Sequence, residues 1–163
     1  MLISDRLNHA RWTLERQLMW IAAADAKVGV VIALHVAMVS GLGAAYTSTN
    51  ADRTTWVNVM TSGYAFLVVW SVICAFMALW PRTDGPKSSM VYFGCIAKSG
   101  YDQYVEDFEK KEAAYFLADL AEQVHRNAQI AQAKIAHVGW AMKVAFVGAI
   151  FWLVAVALLV MPK

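Results

Sequence analysis

Long apolar segments alternate with charged ones along this chain, and three of them are long enough to cross a membrane. Residues 28–46 contain His35 but no Asp, Glu, Lys or Arg, and residues 57–80 and 144–161 contain no charged side chain. These segments have 19, 24 and 18 residues, and a spanning helix needs about 20. Because lipid-exposed backbone must satisfy its own hydrogen bonds, we expect three membrane-spanning helices.

Helical patterns continue on both sides of the spans. Apolar side chains recur at steps of three and four before Lys27, with no Gly or Pro between Leu2 and Lys27, which predicts one helix over residues 2–46. Pro81, Gly85 and Pro86 predict a turn after the second span. A short helix over residues 88–98, a break at Ser99–Gly100 and an uninterrupted helix from Tyr101 into the third span should follow.

The distribution of Lys and Arg predicts the orientation. The N-terminal segment has four such residues and the segment 81–143 has eight, whereas the loop between spans one and two has only Arg53. Positive charge favours the cytoplasmic side, so the N-terminus and the middle segment should be cytoplasmic. The predicted parts are residues 1–27 (cytoplasmic amphipathic helix continuous with the first span), 28–46 (span 1), 47–56 (short external loop), 57–80 (span 2), 81–137 (cytoplasmic helical region) and 138–161 (span 3).

The sequence thus predicts an all-α integral membrane protein. Its cytoplasmic helical stalk should consist of extensions of helices one and three plus the short helix. Small residues at intervals of four let membrane helices approach closely, and they occur in the first span at Gly29, Ala33, Ala37, Gly41 and Ala45. These residues either pack inside one three-helix bundle or join subunits, and we expect a homo-oligomer.

Composition excludes several classes of protein. Hydrophobic residues make up 60% of the chain, charged residues 16%, mean hydropathy is +0.46 and net charge is +2, which is too balanced for a nucleic-acid-binding arm. Residues 1–27 are charged throughout, so we expect no cleaved signal peptide. Cys74 and Cys95 should be free thiols. No nucleophile elbow, HExxH, phosphate loop or CxxC occurs, so we expect no enzyme, metal or cofactor.

A few polar residues are candidates for function. His35 lies within a span and could line a pore, bond to a neighbouring helix or be satisfied by a carbonyl or hydroxyl. Asp25 and Lys27 lie where the first helix meets the membrane and are candidates for coupling, although Lys27 could simply extend to the surface and Asp25 be solvated.

The middle segment contains the mixture that a nucleotide requires: aromatic faces, amides and cations. Any helical domain of this size also carries such residues on its surface and at its caps. The ligand-binding candidates are Arg82, Tyr92, Ser99, Tyr101, Tyr104, Gln123, Asn127 and Lys134.

Several motifs, in this order, resemble a known family from about Arg11 to the C-terminus. They are Asp25-Ala26-Lys27-Val28-Gly29, Trp80-Pro81-Arg82, Val91-Tyr92-Phe93-Gly94-Cys95-Ile96, and Asp119-Leu120-Ala121-Glu122-Gln123-Val124-His125. The chain resembles the Pycsar transmembrane effectors of bacterial antiphage defence. That resemblance implies a partner cyclase making cyclic UMP or cyclic CMP, and an effector that compromises the inner membrane and stops growth. It assigns no nucleotide-contacting residue.

A hypothesis of another class is a constitutive structural or assembly subunit of a larger membrane complex. It would cover the apolar helix faces with a partner helix instead of responding to a ligand. Toxicity on expression with a cyclase would distinguish the effector, whereas a scaffold should be harmless and co-purify with its complex. A membrane-embedded hydrolase would need a catalytic pair that the sequence does not offer.

Overall fold

The computed structural model describes residues 2–48, 55–82, 85–86 and 88–160. Their helices are α1 (Ile3–Ser48), α2 (Thr55–Leu79), α3 (Phe93–Ile96), α4 (Tyr101–Lys110) and α5 (Ala113–Val160). Of these described residues 89% are helical, with no strand among them. Helices α1, α2 and α5 are long and apolar enough to cross a membrane. The predicted all-α fold with three spans is confirmed, whereas the predicted external loop falls mostly outside the described residues.

The segment that precedes Ser99 is less helical than predicted. Helix α3 has only four residues, so the expected helix over residues 88–98 is wrong. The hydroxyl oxygen of Ser89 accepts hydrogen bonds from the backbone N–H groups of Val91 (3.1 Å) and Tyr92 (2.8 Å). A serine that binds nearby backbone in this way competes with helical hydrogen bonding. The chain therefore turns before α3 begins.

The expected uninterrupted helix from Tyr101 is also wrong, because α4 ends at Lys110. Lys111 is extended, with φ −83° and ψ 136°, and no Gly or Pro marks this break. Ring contacts across it give the physical reason: Phe108 and Phe116 lie 5.2 Å apart between centroids, and Lys111 Nζ lies 3.9 Å from the Tyr115 ring centre. Aromatic packing here outweighs helix propensity.

The chain divides into two compact units, and α1 and α5 contribute residues to both. Unit 1 comprises Met1–Ala23 and Pro81–Ala133, and unit 2 comprises Ala24–Trp80 and Lys134–Lys163. Unit 2 contains the three apolar helical segments. Unit 1 contains the amphipathic start of α1, the segment after Pro81, α3, α4 and the first part of α5.

Small side chains form much of one cluster in the core of unit 2. Ala75 and Ala78 of α2 and Ala141 and Ala145 of α5 are buried in one cluster. Because alanine carries only a methyl group, it permits close approach of helix backbones, which is how spans associate without a hydrophobic driving force. The second cluster contains mostly larger residues from all three helices, namely Met38, Leu42, Val57, Tyr64 and Leu159, together with Ala155.

The small residues of α1 lie mostly outside this core. Gly29, Ala33 and Ala37 are exposed, Gly41 lies beside the Trp152 ring, and Ala45 is half-buried against the second cluster. The exposed members do not pack inside the bundle of one chain. Contact between these residues of neighbouring subunits stays a prediction.

Overfilling the alanine cluster should destabilise unit 2. Ala141→Leu places three extra carbons at a fully buried position, and we expect a loss of about 1–3 kcal/mol. Thermal unfolding of the purified protein in detergent measures it. The control is Ala157→Leu, at an exposed position of the same helix, which should leave the midpoint unchanged. Equal effects of both substitutions would contradict the described packing.

Candidate functional site

A buried carboxylate anchors the segment after Pro81 to α5. Asp119 is 5% exposed and accepts two hydrogen bonds, from the Ser89 hydroxyl (2.6 Å) and from the backbone N–H of Met90 (2.7 Å). Each carboxylate oxygen therefore has a partner, which a buried charge requires. Because Ser89 in turn accepts the N–H groups of Val91 and Tyr92, the anchor fixes the backbone of Tyr92.

Further contacts hold the same segment. The side-chain amide of Gln123 donates to the Ser89 hydroxyl oxygen (3.4 Å), and the Tyr104 hydroxyl donates to the Met90 carbonyl (3.3 Å). The Cys95 thiol donates to the Pro86 carbonyl (3.1 Å). Helices α4 and α5 thus both bind the segment, which holds the backbone on both sides of Val91 in place.

One groove in unit 1 combines two cations, two aromatic rings and two amides. We call it the arginine groove, and its volume is 330 Å³. Helix α1, the segment after Pro81 and α5 all contribute to its walls. The lining residues are Leu14, Leu18, Arg82, Gly85, Val91, Tyr92, Phe93, Gln123, Arg126, Asn127 and Ile130.

The arginine groove suits a small anion that carries a flat, polar ring. Arg82 and Arg126 offer guanidinium groups, which match the geometry of phosphate oxygens. Tyr92 offers an aromatic face, and Gln123 and Asn127 offer amides that can bond to the edge of a base. Its volume lies at the lower end of the range of small-molecule sites, about 300–1,000 Å³.

A second, larger cavity of unit 1 also includes Tyr92. We call it the lysine cavity; it measures 820 Å³ and is lined in part by Lys98, Ser99, Tyr104 and Lys111. The carboxylate of Asp107 lines it too. Because this carboxylate repels an anionic ligand, the arginine groove is the better match for a phosphate.

The predicted ligand residues fall into three groups. Arg82, Tyr92, Gln123 and Asn127 come together in the arginine groove, and Ser99 and Tyr104 line the lysine cavity. The structure does not bring the remaining two to either cavity. Tyr101 is 80% exposed, and Lys134 belongs to unit 2.

Lys134 instead pairs with one of the predicted coupling residues. Its ammonium group lies 2.5 Å from the Asp25 carboxylate. This ion pair joins α5 to α1 at the end of unit 2 where both helices continue from unit 1. Lys27, the other predicted coupling residue, is exposed.

Two residues of the site were missed from sequence. Arg126 lies three positions after Gln123 and therefore on the same helix face, which was a usable signal. Asp119 lies four positions before Gln123 and directly before the buried Leu120. An acidic residue at the edge of a buried face suggests a buried hydrogen-bond acceptor. In the part of the chain that the structure describes, no group of His, Cys, Asp and Glu could hold a metal ion.

These features define the class: a three-span membrane protein with a helical unit that offers a small cationic groove. The family model for the Pycsar effector protein domain matches residues 9–161 of the sequence. The chain therefore belongs to this family. Comparison with curated proteins and with solved structures gave no match. Membership gives the chain a role as a membrane effector in cyclic-nucleotide antiphage defence, and it implies a non-catalytic one.

Removing the buried anchor should loosen unit 1. Asp119→Ala leaves the Ser89 hydroxyl and the Met90 N–H without their acceptor, which costs about 1–3 kcal/mol. Hydrogen exchange at residues 89–92 should accelerate, and mass spectrometry measures it. Glu122→Ala, at an exposed position one turn along α5, is the control and should leave exchange unchanged. Unchanged exchange in both variants would show that the anchor does not hold the segment.

Proposed function

We propose that this chain is a ligand-triggered effector of the bacterial inner membrane. A cyclic pyrimidine mononucleotide, cyclic UMP or cyclic CMP, made by a partner cyclase binds the arginine groove. The effector then compromises membrane integrity, and the infected cell stops growing or dies before phage is released. The observation that carries the proposal is the convergence of Arg82, Arg126, Tyr92, Gln123 and Asn127 in one groove of a Pycsar effector chain.

The hydrogen bonds of Gln123 indicate which of its side-chain atoms is available to a ligand. The single hydroxyl hydrogen of Ser89 goes to Asp119, so its oxygen can only accept, and Gln123 must present its NH2 group there. The carbonyl oxygen of Gln123 is then left to accept from a ligand. Uracil N3–H and the exocyclic amine of cytosine are such donors, so this acceptor can serve either proposed base.

Binding must favour one conformation over another in order to act. A ligand shifts an equilibrium only by its differential affinity for the two states. We propose that the nucleotide changes the packing of α1 and α5 around the groove, with Asp25, Lys27 and Lys134 acting at the membrane boundary. The ion pair of Asp25 with Lys134 supports a coupling role because it joins the two helices that continue from the groove.

We also propose a membrane orientation and an oligomeric state for the protein. The excess of Lys and Arg in the N-terminal and middle segments supports a cytoplasmic position for both. In each of the three spanning helices, less than a third of the most apolar stretch is buried within one chain. The exposed small residues of α1 also offer a face on which another helix can pack closely. Both features support a homo-oligomer in the bilayer.

The proposed ligand response is measurable with purified protein. We expect calorimetric binding of cyclic UMP or cyclic CMP, and leakage of dye from proteoliposomes on its addition. Cyclic AMP and cyclic GMP should bind more weakly, because a purine is larger than a pyrimidine and the groove is small. Absence of binding and leakage with all four nucleotides would contradict the proposal and favour a constitutive structural subunit.

Loss of one groove cation should weaken binding selectively. Arg126→Ala removes a guanidinium from the groove, and a charge-assisted hydrogen bond contributes about 1.5–3 kcal/mol, so we expect the Kd to rise at least about tenfold. Arg11→Ala, at an exposed position of α1 outside the groove, should bind like wild type. An unchanged Kd for Arg126→Ala would place the ligand elsewhere, with the lysine cavity as the next site to test.

The ion pair at the membrane boundary should affect the response more than binding. We expect the reversals Asp25→Lys and Lys134→Asp each to alter the nucleotide concentration needed for leakage, because each places like charges together. The double reversal should restore it, and Kd should stay within about twofold throughout, since Lys134 lies outside the groove. Loss of nucleotide binding in Lys134→Asp, with no rescue by the double reversal, would instead make Lys134 a ligand contact.

A further inference from the structure

Four polar side chains lie inside the bundle of unit 2 in a region of apolar helices. Three of them, Thr61, Tyr64 and Ser71, share the inner face of α2 at intervals of three and seven residues. The fourth is His35 of α1, which is 3% exposed. We call these four residues the polar line.

Half of the polar line is a hydrogen-bond chain that joins all three helices. His35 Nε2 lies 2.8 Å from the Ser71 hydroxyl, which donates to the Ala141 carbonyl of α5 at 2.9 Å. Because Ser71 uses its only hydrogen for Ala141, it must accept from His35, and Nε2 therefore carries a hydrogen. Within the described residues His35 Nδ1 is buried without a hydrogen-bond partner.

The other half has no hydrogen bonds in this packing. Tyr64 is 2% exposed, and neither its hydroxyl nor that of Thr61 has a partner among the described residues. Hydrocarbon supplies no partner to such groups, and burying them is unfavourable. Phenylalanine and valine would fill the same space without this cost, so the described packing does not account for the two hydroxyls.

Space is already present beside the two residues that carry these buried hydroxyls. A cavity of 470 Å³ adjoins Thr61 and Tyr64, and the residues that line it come from α1 and α2. Its other walls are mostly apolar and include Val39, Leu42 and Val68. The contact between α1 and α2 is therefore incomplete at the level of the two unpartnered hydroxyls.

We infer that the polar line faces a water-filled path when the effector is activated, and that the described packing is the closed form. This inference rests on the proposed function and names the residues that would line its leak. Water reaching Thr61, Tyr64 and His35 Nδ1 supplies the missing partners, so separation of α1 from α2 gains hydrogen bonds that offset lost packing. A neighbouring chain could not supply them while the three helices stay together, because the groups lie inside one bundle.

A variant that lacks only the two hydroxyls tests the inference. Thr61→Val combined with Tyr64→Phe keeps shape and removes the polar atoms. We expect the nucleotide-triggered dye-leakage rate to fall about tenfold, the effect of losing hydrogen-bond partners in the open form alone. Nucleotide Kd should be unchanged, and thermal stability without nucleotide should not fall. Ser62→Ala removes a hydroxyl from the exposed face of α2 and should leak like wild type.

The outcomes separate this inference from the proposed function. Wild-type leakage on addition of cyclic UMP or cyclic CMP, with equal leakage in the double variant, would overturn the polar line and leave the function standing. No wild-type leakage with either nucleotide would overturn both. A reduced rate in the double variant with full binding supports the path.

Water access can be measured independently of the double variant. The thiol introduced by Thr61→Cys should react with a membrane-impermeant thiol reagent only after nucleotide is added, with the modified site located by mass spectrometry. The thiol introduced by Ser62→Cys should stay unreactive in both states, because it faces lipid. Equal reactivity of position 61 with and without nucleotide would contradict a path that opens on activation.

Discussion

Two helices carry an unbroken backbone hydrogen-bond ladder from one unit of this protein into the other. Neither α1 nor α5 contains a proline, and hydrocarbon would penalise any break because it offers no substitute partners. The proposed function uses these two helices to transmit a displacement from the arginine groove. Such a displacement would meet polar contacts in unit 2, among them the Asp25–Lys134 ion pair and the His35–Ser71–Ala141 chain.

The arginine groove and the polar line differ in how far the hydrogen bonds around them are already formed. Unit 1 holds the backbone of Tyr92 through hydrogen bonds of Ser89 and Asp119 that form before any ligand arrives. Unit 2 buries hydroxyls that the described packing leaves unsatisfied. A receptor needs a site that is formed in advance, whereas a switch needs a second arrangement close in free energy. The proposed function requires both properties in one chain.

The membrane-spanning helices could be predicted from the sequence, but the local breaks between helices could not. Charge-free runs predict spanning helices because the membrane penalises each charge strongly. The break at Lys111 depends instead on the contact of Phe108 with Phe116, which no local pattern reports. Residue chemistry selected four members of the arginine groove, but it also selected Tyr101, which is exposed, and Lys134, which pairs with Asp25. The burial of the Thr61 and Tyr64 hydroxyls could not be predicted from sequence, because it depends on how the three helices pack.

The most direct measurement uses a variant in which both helices are made flexible at exposed positions, while the groove and the core stay intact. Ala22, Ala23 and Ala26 of α1 and Gln132 and Ala136 of α5 are exposed, and changing all five to glycine costs about 1 kcal/mol of helix stability each. The control has glutamine, a good helix former, at all five. If stiff helices transmit binding, the glycine variant binds nucleotide like the control yet fails to release dye from proteoliposomes. Equal binding and equal release in both would contradict the account.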